Sequence, residues 1–309
     1  MPKFSVVISV FNKEKYIANT IQSVLNQTLQ EFEIVILNDG STDNSEAEIL
    51  QFKDSRIRYF SEANQGAGAA RNFVIEKAKY NYIALLDADD LWLPFYLEEQ
   101  ERLIEKYPKQ SVFATASAIK KRDEIFHRSY SINFENQKDG AFDYFEASFK
   151  DSILQSSTTV LKKEIFDTIG YYNPKVKSGQ DTDLYIRIGL KYKVIFSPKI
   201  CVHYNYIENS LFRSSKKITD KLNLDSYTAL EKDNKALKKF IDLNRYSLCL
   251  FAKRIGDKNA FQDNLKKIDQ NNLSNLQRFI LKQNPKTIEI LLKLQSVMAK
   301  NGFSIGTFK

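Results

Sequence analysis

Tyr82-Ile83-Ala84-Leu85-Leu86-Asp87-Ala88-Asp89-Asp90 is the stretch around which the rest of the chain is interpreted. Its first five residues form an apolar run of the kind expected for a buried β-strand. Three carboxylates follow within four residues, and burying them is costly unless a cation gathers them. A divalent metal carrying a diphosphate would do so, because Mg²⁺ and Mn²⁺ take one or two protein carboxylates plus phosphate oxygens. Alternatively, the acids open the next helix, where negative charge is favoured.

Composition limits the class of protein. The chain has 309 residues, of which 43% are hydrophobic and 27% charged, as is typical of a globular protein long enough for two domains. No apolar run approaches the ~20 residues needed to cross a bilayer, and polar residues 12–15 interrupt the N-terminal apolar run, so no signal peptide is expected. Cys201 and Cys249 form no Cys-x-x-Cys pair, which indicates reduced thiols in a cytoplasmic protein and argues against zinc.

The net charge of +8 is concentrated in the C-terminal third of the chain. Residues 213–309 contain 20 Lys and Arg against 9 Asp and Glu, whereas residues 1–212 have a balance of −3. We therefore place a domain boundary near 213. Such asymmetry favours an anionic partner for the tail: a membrane surface, a polyanionic glycan or nucleic acid. A solvated, lysine-rich helical surface is the alternative.

Strand and helix patterns alternate along the first half of the chain. Apolar runs predict strands at 3–11, 32–37, 56–60, 82–86, 111–120, 156–161, 193–196 and 200–207. Helical spacing predicts helices at 16–25, 41–52, 69–79, 95–107, 141–150, 163–169 and 182–190, and a hairpin or loop covers 121–140. This alternation is typical of an α/β fold with a mostly parallel sheet covered by helices on both faces. From residue 214 onward only helices are predicted.

Polar residues follow several of these strands at the point where each strand ends. Asn12, Asp39, the turn at 64–71, and Asp87 with Asp89 all occupy such positions. In a parallel sheet the carboxyl ends of the strands meet at one edge, and ligands bind there. We therefore expect these residues to form one site.

Five segments, in order and at similar spacing, resemble the motifs of the family 2 glycosyltransferases, which have the GT-A fold. They are Val7–Asn12, Leu37–Asp43, Asn64–Asn72, the Asp-x-Asp sequence Asp87–Asp90, and Gln180–Leu184. The resemblance covers about the first 210 residues. It implies a Rossmann-like GT-A domain at 1–212, with a nucleotide-binding half at 1–120 and an acceptor half at 121–212. A basic, all-helical domain would follow at 213–309.

The resemblance implies that a nucleotide sugar binds at the strand ends. Phe11 and Asn12 would contact it, and Asp39 would accept a hydrogen bond from the uracil N–H. Gly66 would let the backbone approach the ligand closely, and Arg71 would contact the base or a phosphate. A turn or helix cap is the alternative role for Asp39, and a surface salt bridge is the alternative for Arg71.

Within the acidic cluster the implied roles differ. Asp87 would bind the ribose hydroxyls, and Asp89 would ligate the Mn²⁺ or Mg²⁺ that bridges the diphosphate. That metal would act as a Lewis acid on the leaving nucleoside diphosphate. Asp90 is expected to cap the next helix. Trp92 either packs in the core or floors the acceptor pocket.

Asp181 is the candidate catalytic base. By resemblance to the family's Glu-Asp-x-Asp-Leu motif, it would take the proton from an acceptor hydroxyl as that oxygen attacks the anomeric carbon with inversion. The alternative is that Asp181 caps a helix that begins at Thr182. Asp183 lies on another helical face, and we expect it to be structural.

The segment Tyr204–Ser210 departs from the family pattern, because Asn205 and Ile207 replace an Arg and a His. His203 lies nearby and is a further candidate metal ligand, although a satisfied core histidine is the favoured interpretation. Three cations could replace the lost phosphate contacts: Arg213, Lys216 and Lys217.

The sequence therefore predicts a metal-dependent, inverting transferase that moves a hexosyl or N-acetylhexosaminyl group from a UDP-sugar. The acceptor would be a saccharide or lipid-linked saccharide in bacterial surface glycan assembly. Residues 213–309 could hold the enzyme on the inner face of the cytoplasmic membrane or form a homodimer, and no nucleic acid partner is expected. Nucleotidyl transfer is a rival, although a glycine-bearing phosphate loop is missing after the first strand. A binding module without turnover is the other rival.

Overall fold

A computed structural model describes residues 3–121, 124–132, 138–205 and 217–291. The chain divides into two compact units. Unit 1 comprises Met1–His127, Phe134–Tyr144 and Ile153–Ile207, and unit 2 comprises Arg128–Asn133, Phe145–Ser152 and Glu208–Lys309. The assignment of a nucleotide half, an acceptor half and a separate domain from 213 stays a prediction.

Ten strands form the sheet in the described part of unit 1. They are β1 Phe4–Val10, β2 Phe32–Asp39, β3 Ile57–Glu62, β4 Tyr82–Leu85, β5 Leu91–Trp92, β6 Val112–Lys121, β7 Glu124–His127, β8 Gly140–Phe142, β9 Thr159–Lys162 and β10 Val194–Asn205. The helices up to residue 189 are α1 Ile17–Leu25, α2 Ser45–Leu50, α3 Ala67–Lys77, α4 Tyr96–Lys106, α5 Tyr144–Ala147, α6 Ile165–Ile169 and α7 Gln180–Gly189. Most predicted elements are present, with ends shifted by a few residues. The helix predicted at 141–150 is only the short α5, and part of that range belongs to β8.

The sheet has the order β3-β2-β1-β4-β9-β6-β10-β5, with β7 paired to β6 and β8 to β10. Its longest pairings are parallel: β1 with β2, β2 with β3, and β6 with β10. β9 runs antiparallel between β4 and β6. Strands β1 and β2 are buried almost throughout, as expected for central strands covered on both faces. The predicted α/β class with a mostly parallel sheet is confirmed.

The prediction that Asp90 caps a helix is wrong. The next two residues form the short strand β5, in which Trp92 pairs with Val202 of β10, and α4 begins only at Tyr96. Trp92 lies in the core: it is 3% exposed, stacks on Tyr96 with the ring centroids 4.1 Å apart, and donates through Nε1 to the Ser157 carbonyl at 2.7 Å.

Three predicted strands also differ from the structure. The strands predicted at 193–196 and 200–207 are one strand, β10, whose register against β6 shifts between Ser197 and Val202. The strand predicted from Ser156 begins with a 3₁₀ turn, Ser156–Thr158, before β9.

Unit 2 contains the helices α8 Thr228–Glu231, α9 Lys235–Ile255, α10 Lys258–Lys267 and α11 Asn275–Lys282. Their core includes Tyr246, Cys249 and Ile280. The helical C-terminal region is confirmed. No helix among the described residues is both long and apolar enough to span a membrane.

Candidate active site

Asn12 joins the end of β1 to the loop after β2. Its backbone is left-handed, with a φ of 52°. The side-chain Oδ1 accepts a hydrogen bond from the Thr42 backbone at 2.8 Å, and the Asn12 N–H donates to Ser41 Oγ at 3.0 Å. The neighbouring Phe11 is 41% exposed. The sequence-predicted pair therefore lies at the sheet edge, with Phe11 open to solvent.

Asp39, the last residue of β2, organises the loop that precedes α3. Its carboxylate accepts hydrogen bonds from the backbone N–H of Gln65 at 2.9 Å and of Gly66 at 3.1 Å. Burial raises the pKa of Asp39, and these two hydrogen bonds oppose the rise. Gly66 is the N-cap residue of α3. The structure thus brings Asp39 and Gly66 together, while their contacts with a nucleotide stay a prediction.

Arg71 connects two of the candidate carboxylates. Its Nη2 donates to Asp87 Oδ1 at 2.7 Å, and its Nη1 lies 3.3 Å from Asp181 Oδ1. The guanidinium also lies 5.4 Å from the ring centroid of Tyr172. Although burial acts to lower the pKa of Arg71, the two carboxylates raise it well above its usual value. Arg71 is therefore an internal cation of the site, 13% exposed, rather than part of a surface salt bridge.

Asp181 is the second residue of α7, which begins at Gln180 behind the N-cap Gly179. It is therefore not the cap of this helix. Its Oδ1 accepts a hydrogen bond from Ser156 Oγ at 3.2 Å. Burial raises the pKa of Asp181, Arg71 opposes the rise, and Asp87 adds to it. About a third of the side chain (36%) is exposed, so a ligand can reach the carboxylate.

Asp183 has the structural role expected from the sequence. Its Oδ2 accepts from Arg187 Nη2 at 2.7 Å, and the same guanidinium donates to the carbonyls of Gly170 and Tyr171 at 3.0 and 2.9 Å. This contact ties α7 to the turn after α6.

The three aspartates after β4 have different partners. Asp89 forms an ion pair with Lys13, with Nζ and Oδ2 2.5 Å apart. Asp90 is 1% exposed and accepts from Ser157 Oγ at 2.5 Å and from the Asn205 backbone at 3.0 Å. Burial and the neighbouring aspartates raise the pKa of Asp90 well above its usual value. Asp90 therefore fixes the loop, and Asp87 and Asp89 keep partly exposed carboxylates.

Sequence reasoning did not identify several residues that hold this site. Tyr172 is fixed by two reciprocal hydrogen bonds with Asn72, both 2.9 Å long. Ser157 Oγ accepts from the Asp87 backbone N–H at 3.1 Å, and Ser156 contacts Asp181. Lys13 follows Asn12 directly, but a single lysine after a strand carries no sequence signal for an ion pair with Asp89.

The residues present fit a divalent cation that arrives with phosphate oxygens. The Asp87 and Asp89 side chains are 31% and 19% exposed, and one or two carboxylates are what Mg²⁺ and Mn²⁺ usually take from a protein. Within the described residues there is no group of three or more His, Cys, Asp or Glu side chains placed to hold a metal. His203 lies in β10 opposite Leu91. Burial lowers the pKa of His203, and the positive charge of Lys120 lowers it further. Arg213, Lys216 and the segment 206–210 lie outside the described residues, whereas Lys217 lies within them in unit 2.

The fold is that of a GT-A glycosyltransferase. S. aureus TarS 1–349, solved in complex with UDP-GlcNAc, matches with a TM-score of 0.64 and 20% sequence identity, over 87% of this chain and 82% of TarS 1–349. The same TarS fragment has also been solved in complex with UDP. At this identity the match shows the fold alone.

The chain belongs to glycosyl transferase family 2. The model of that family matches residues 5–170, more than half of the chain. A protein of Methanocaldococcus jannaschii named as a glycosyltransferase is 30% identical over 246 residues, which are 77% of this chain and 82% of that protein. The predicted family is confirmed.

Two Rickettsia proteins, also named as glycosyltransferases, are similar over smaller parts. One from Rickettsia bellii is 44% identical over 106 residues, 34% of this chain and 15% of that protein. One from Rickettsia typhi is 28% identical over 205 residues, 65% of this chain and 63% of that protein. The chain therefore spans less than two thirds of the length of either.

Proposed function

We propose that this glycosyltransferase is a metal-dependent, inverting enzyme that transfers a hexosyl or N-acetylhexosaminyl group from a UDP-sugar. The acceptor is a saccharide or a lipid-linked saccharide of a bacterial surface glycan. The observation that carries this proposal is the position of Arg71 between Asp87 and Asp181. It brings the predicted donor-binding carboxylate and the predicted base into one site. The complexes of S. aureus TarS with UDP-GlcNAc and UDP support a UDP-sugar donor.

The donor would lie along the ends of β1, β2 and β4. Phe11 is exposed beside Asn12 and can cover the uracil, and Asp39 at the end of β2 would accept a hydrogen bond from the uracil N–H. Gly66 is the N-cap residue of α3, whose N-terminal N–H groups favour anions. Arg71 would donate to the nucleotide, and Asp87 would bind the ribose hydroxyls.

Asp89 would ligate Mn²⁺ or Mg²⁺ together with the diphosphate, and His203 is the second candidate ligand. When bound, the metal neutralises charge on the departing nucleoside diphosphate. Asp87 and Asp89 would lie beside an anionic donor, so cations must offset the negative charge at this position. Arg71, which is paired with Asp87, and the bound metal would do so.

Asp181 would accept the proton of the acceptor hydroxyl. Ser156 and Arg71 orient its carboxylate, and the positive charge of Arg71 keeps more of it ionised. The hydroxyl oxygen then attacks the anomeric carbon on the face opposite to UDP, which inverts the configuration. A positioned base of this kind accelerates proton transfer by about 10²–10⁴-fold.

A panel of UDP-sugars and acceptors, assayed for UDP release with Mn²⁺, tests the proposal. We expect Asp181→Asn to lower turnover about 10²–10⁴-fold while UDP still binds. Asp167→Asn, the same charge change at an exposed position of α6, should leave turnover unchanged.

Two results would contradict the proposal. UDP binding without turnover of any donor would indicate a binding module that lacks activity. Release of pyrophosphate from UTP and a sugar phosphate would indicate nucleotidyl transfer instead.

We further propose that residues 213–309, with 20 basic and 9 acidic residues, hold the enzyme on the anionic inner face of the cytoplasmic membrane. Vesicle flotation of the full chain should show salt-sensitive binding to anionic vesicles only. Replacing three exposed cations of unit 2, Arg254, Lys258 and Lys266, with Gln should weaken it. The matched change at Lys53, Lys109 and Lys191 of unit 1 should not. Salt-insensitive binding would contradict this proposal, and self-association of the tail helices stays a prediction.

A further inference from the structure

Lys13 is a cation at the candidate active site to which the functions above assign no role. Its Nζ lies 2.5 Å from Asp89 Oδ2, and the two side chains are 27% and 19% exposed. The pair is therefore shielded enough to form a defined contact, yet open enough for another cation to reach the same carboxylate. Lys13 also acts to lower the pKa of Asp89 against the effect of burial.

The backbone of Lys13 is held on both sides. Its N–H donates to Ser45 Oγ at 2.7 Å, and its carbonyl accepts from the N–H groups of Tyr16 and Ile17 at 2.9 and 3.0 Å. These contacts anchor the residue between the start of α1 and the start of α2. Because the backbone is held in place, only the side chain of Lys13 can change conformation as its ammonium group approaches or leaves Asp89.

We propose that Lys13 is a positioning residue that occupies Asp89 in the metal-free protein and competes with the divalent cation for the carboxylate. The inference rests on the proposed metal-dependent transfer. Asp89 pairs with Lys13 in the structure, and the arriving metal must displace the ammonium or share the carboxylate with it. A positive charge within a few ångströms of a divalent cation weakens metal binding by direct repulsion.

The pairing of Lys13 with Asp89 would couple the affinity for the metal to the binding of the donor. With Lys13 in place, the protein alone binds the metal weakly, because one carboxylate oxygen is already taken. A diphosphate supplies both additional metal ligands and an alternative partner for the displaced ammonium. Lys13 thereby favours the joint binding of metal and nucleotide over binding of the metal alone.

The test measures Mn²⁺ affinity directly, from the electron paramagnetic resonance signal of free Mn²⁺, with no turnover involved. The full chain is titrated with Mn²⁺ alone and again with saturating UDP. Lys13→Met removes the charge and keeps much of the side-chain length, and Lys13→Arg keeps the charge. Lys15→Met is the matched control, because Lys15 is exposed and two residues away. Thermal unfolding without ligands checks that each variant is folded.

Without UDP, we expect Lys13→Met to bind Mn²⁺ about three- to tenfold more tightly than the wild type, as loss of a close like charge predicts. Lys13→Arg should bind no more tightly than the wild type, and Lys15→Met should change the affinity less than about twofold. UDP should therefore improve Mn²⁺ binding less in Lys13→Met than in the wild type.

Equal or weaker Mn²⁺ binding by Lys13→Met, with Mn²⁺ and UDP still bound jointly by the wild type, overturns this inference and leaves the proposed function standing. A wild type that binds UDP but never Mn²⁺ overturns both this inference and the metal dependence. An equal gain in Lys13→Met and Lys15→Met would show a general charge effect and also overturns the role given to Lys13.

Discussion

Arg71 Nη1 lies 3.3 Å from Asp181 Oδ1, so a helix that follows β3 contacts the first turn of α7 much further along the chain. The other nitrogen of the same guanidinium donates to Asp87 at 2.7 Å. One buried cation therefore sets the spacing of two carboxylates and the electrostatic environment of the candidate base.

Replacing Arg71 with Met should change the pH dependence of turnover. The positive charge of Arg71 acts to lower the pKa of Asp181, so its loss raises that pKa further. A protonated Asp181 cannot accept a proton, and the acidic limb of the kcat/KM profile should therefore move to higher pH. We also expect kcat/KM at its maximum to fall about 10²-fold, since the carboxylate loses a positioning contact.

Two variants make the Arg71 prediction specific. Arg71→Lys keeps the charge and should move the acidic limb less than Arg71→Met. Arg56→Met removes an arginine that pairs with Asp54 on another part of unit 1, and it should leave the profile unchanged. An acidic limb at the same pH in Arg71→Met and the wild type would show that Asp181 is not the titrating base.

Local pattern was sufficient to predict most of the fold. The apolar run at 32–37 and the polar block behind it predicted β2 to within two residues of its observed end at Asp39, because strand composition and turn residues are short-range signals. The parallel pairing of β1 with β2 and β4 then follows from the alternation of strands and helices. The same rule placed Asp39 and Asp87 at one edge.

Contacts between distant segments could not be predicted from local pattern. Asp90 satisfies the local rule for a helix start, but pairing of Trp92 with Val202 makes the next residues a strand. The reciprocal bonds between Asn72 and Tyr172, and the ion pair between Lys13 and Asp89, also depend on tertiary structure alone.

Gly40→Ala should destabilise the protein and weaken UDP binding. Gly40 has a φ of +68°, and a Cβ there would lie 2.7 Å from the backbone nitrogen of Asn64. The loop that Asp39 holds would have to move, at a cost of about 1–3 kcal/mol in the free energy of unfolding.

Gly256→Ala is the matched control, because its φ is +77° but nothing lies within 4 Å of the added Cβ. It should cost about 1 kcal/mol and leave UDP binding unchanged. Equal effects of the two substitutions on UDP binding would show that the loop does not position the nucleotide.

Glu33→Gln should destabilise the protein in a pH-dependent way. Burial acts to raise the pKa of Glu33, but hydrogen bonds from the Lys79 backbone, Ser5 and Arg58 outweigh it and hold the pKa below its usual value. A lowered native pKa contributes stability above the unfolded pKa, and this contribution is lost as pH falls through the native pKa. We expect a loss of about 1.5–3 kcal/mol at pH 7, measured by urea unfolding, that shrinks below a pH of about 4. Glu62→Gln, the same substitution at an exposed position, should neither lower the stability at pH 7 nor change its pH dependence. A loss of stability in Glu33→Gln that is independent of pH would contradict the stabilising role given to the ionised Glu33.

Arg245→Met should be among the most destabilising substitutions in unit 2. Arg245 is 1% exposed and donates to both carboxylate oxygens of Glu231, at 2.7 and 2.6 Å. Removing the guanidinium leaves a carboxylate buried without its main cation, which typically costs about 3–5 kcal/mol.

Lys267→Met breaks the exposed pair with Asp225, which is 2.8 Å long, and should cost less than about 1 kcal/mol. Urea unfolding of the full chain, followed by circular dichroism, compares the two. If the unpaired buried carboxylate causes the loss, the double variant Arg245→Met, Glu231→Gln should recover part of the stability. Similar losses for Arg245→Met and Lys267→Met would contradict the prediction that burial determines the contribution of the Arg245 pair.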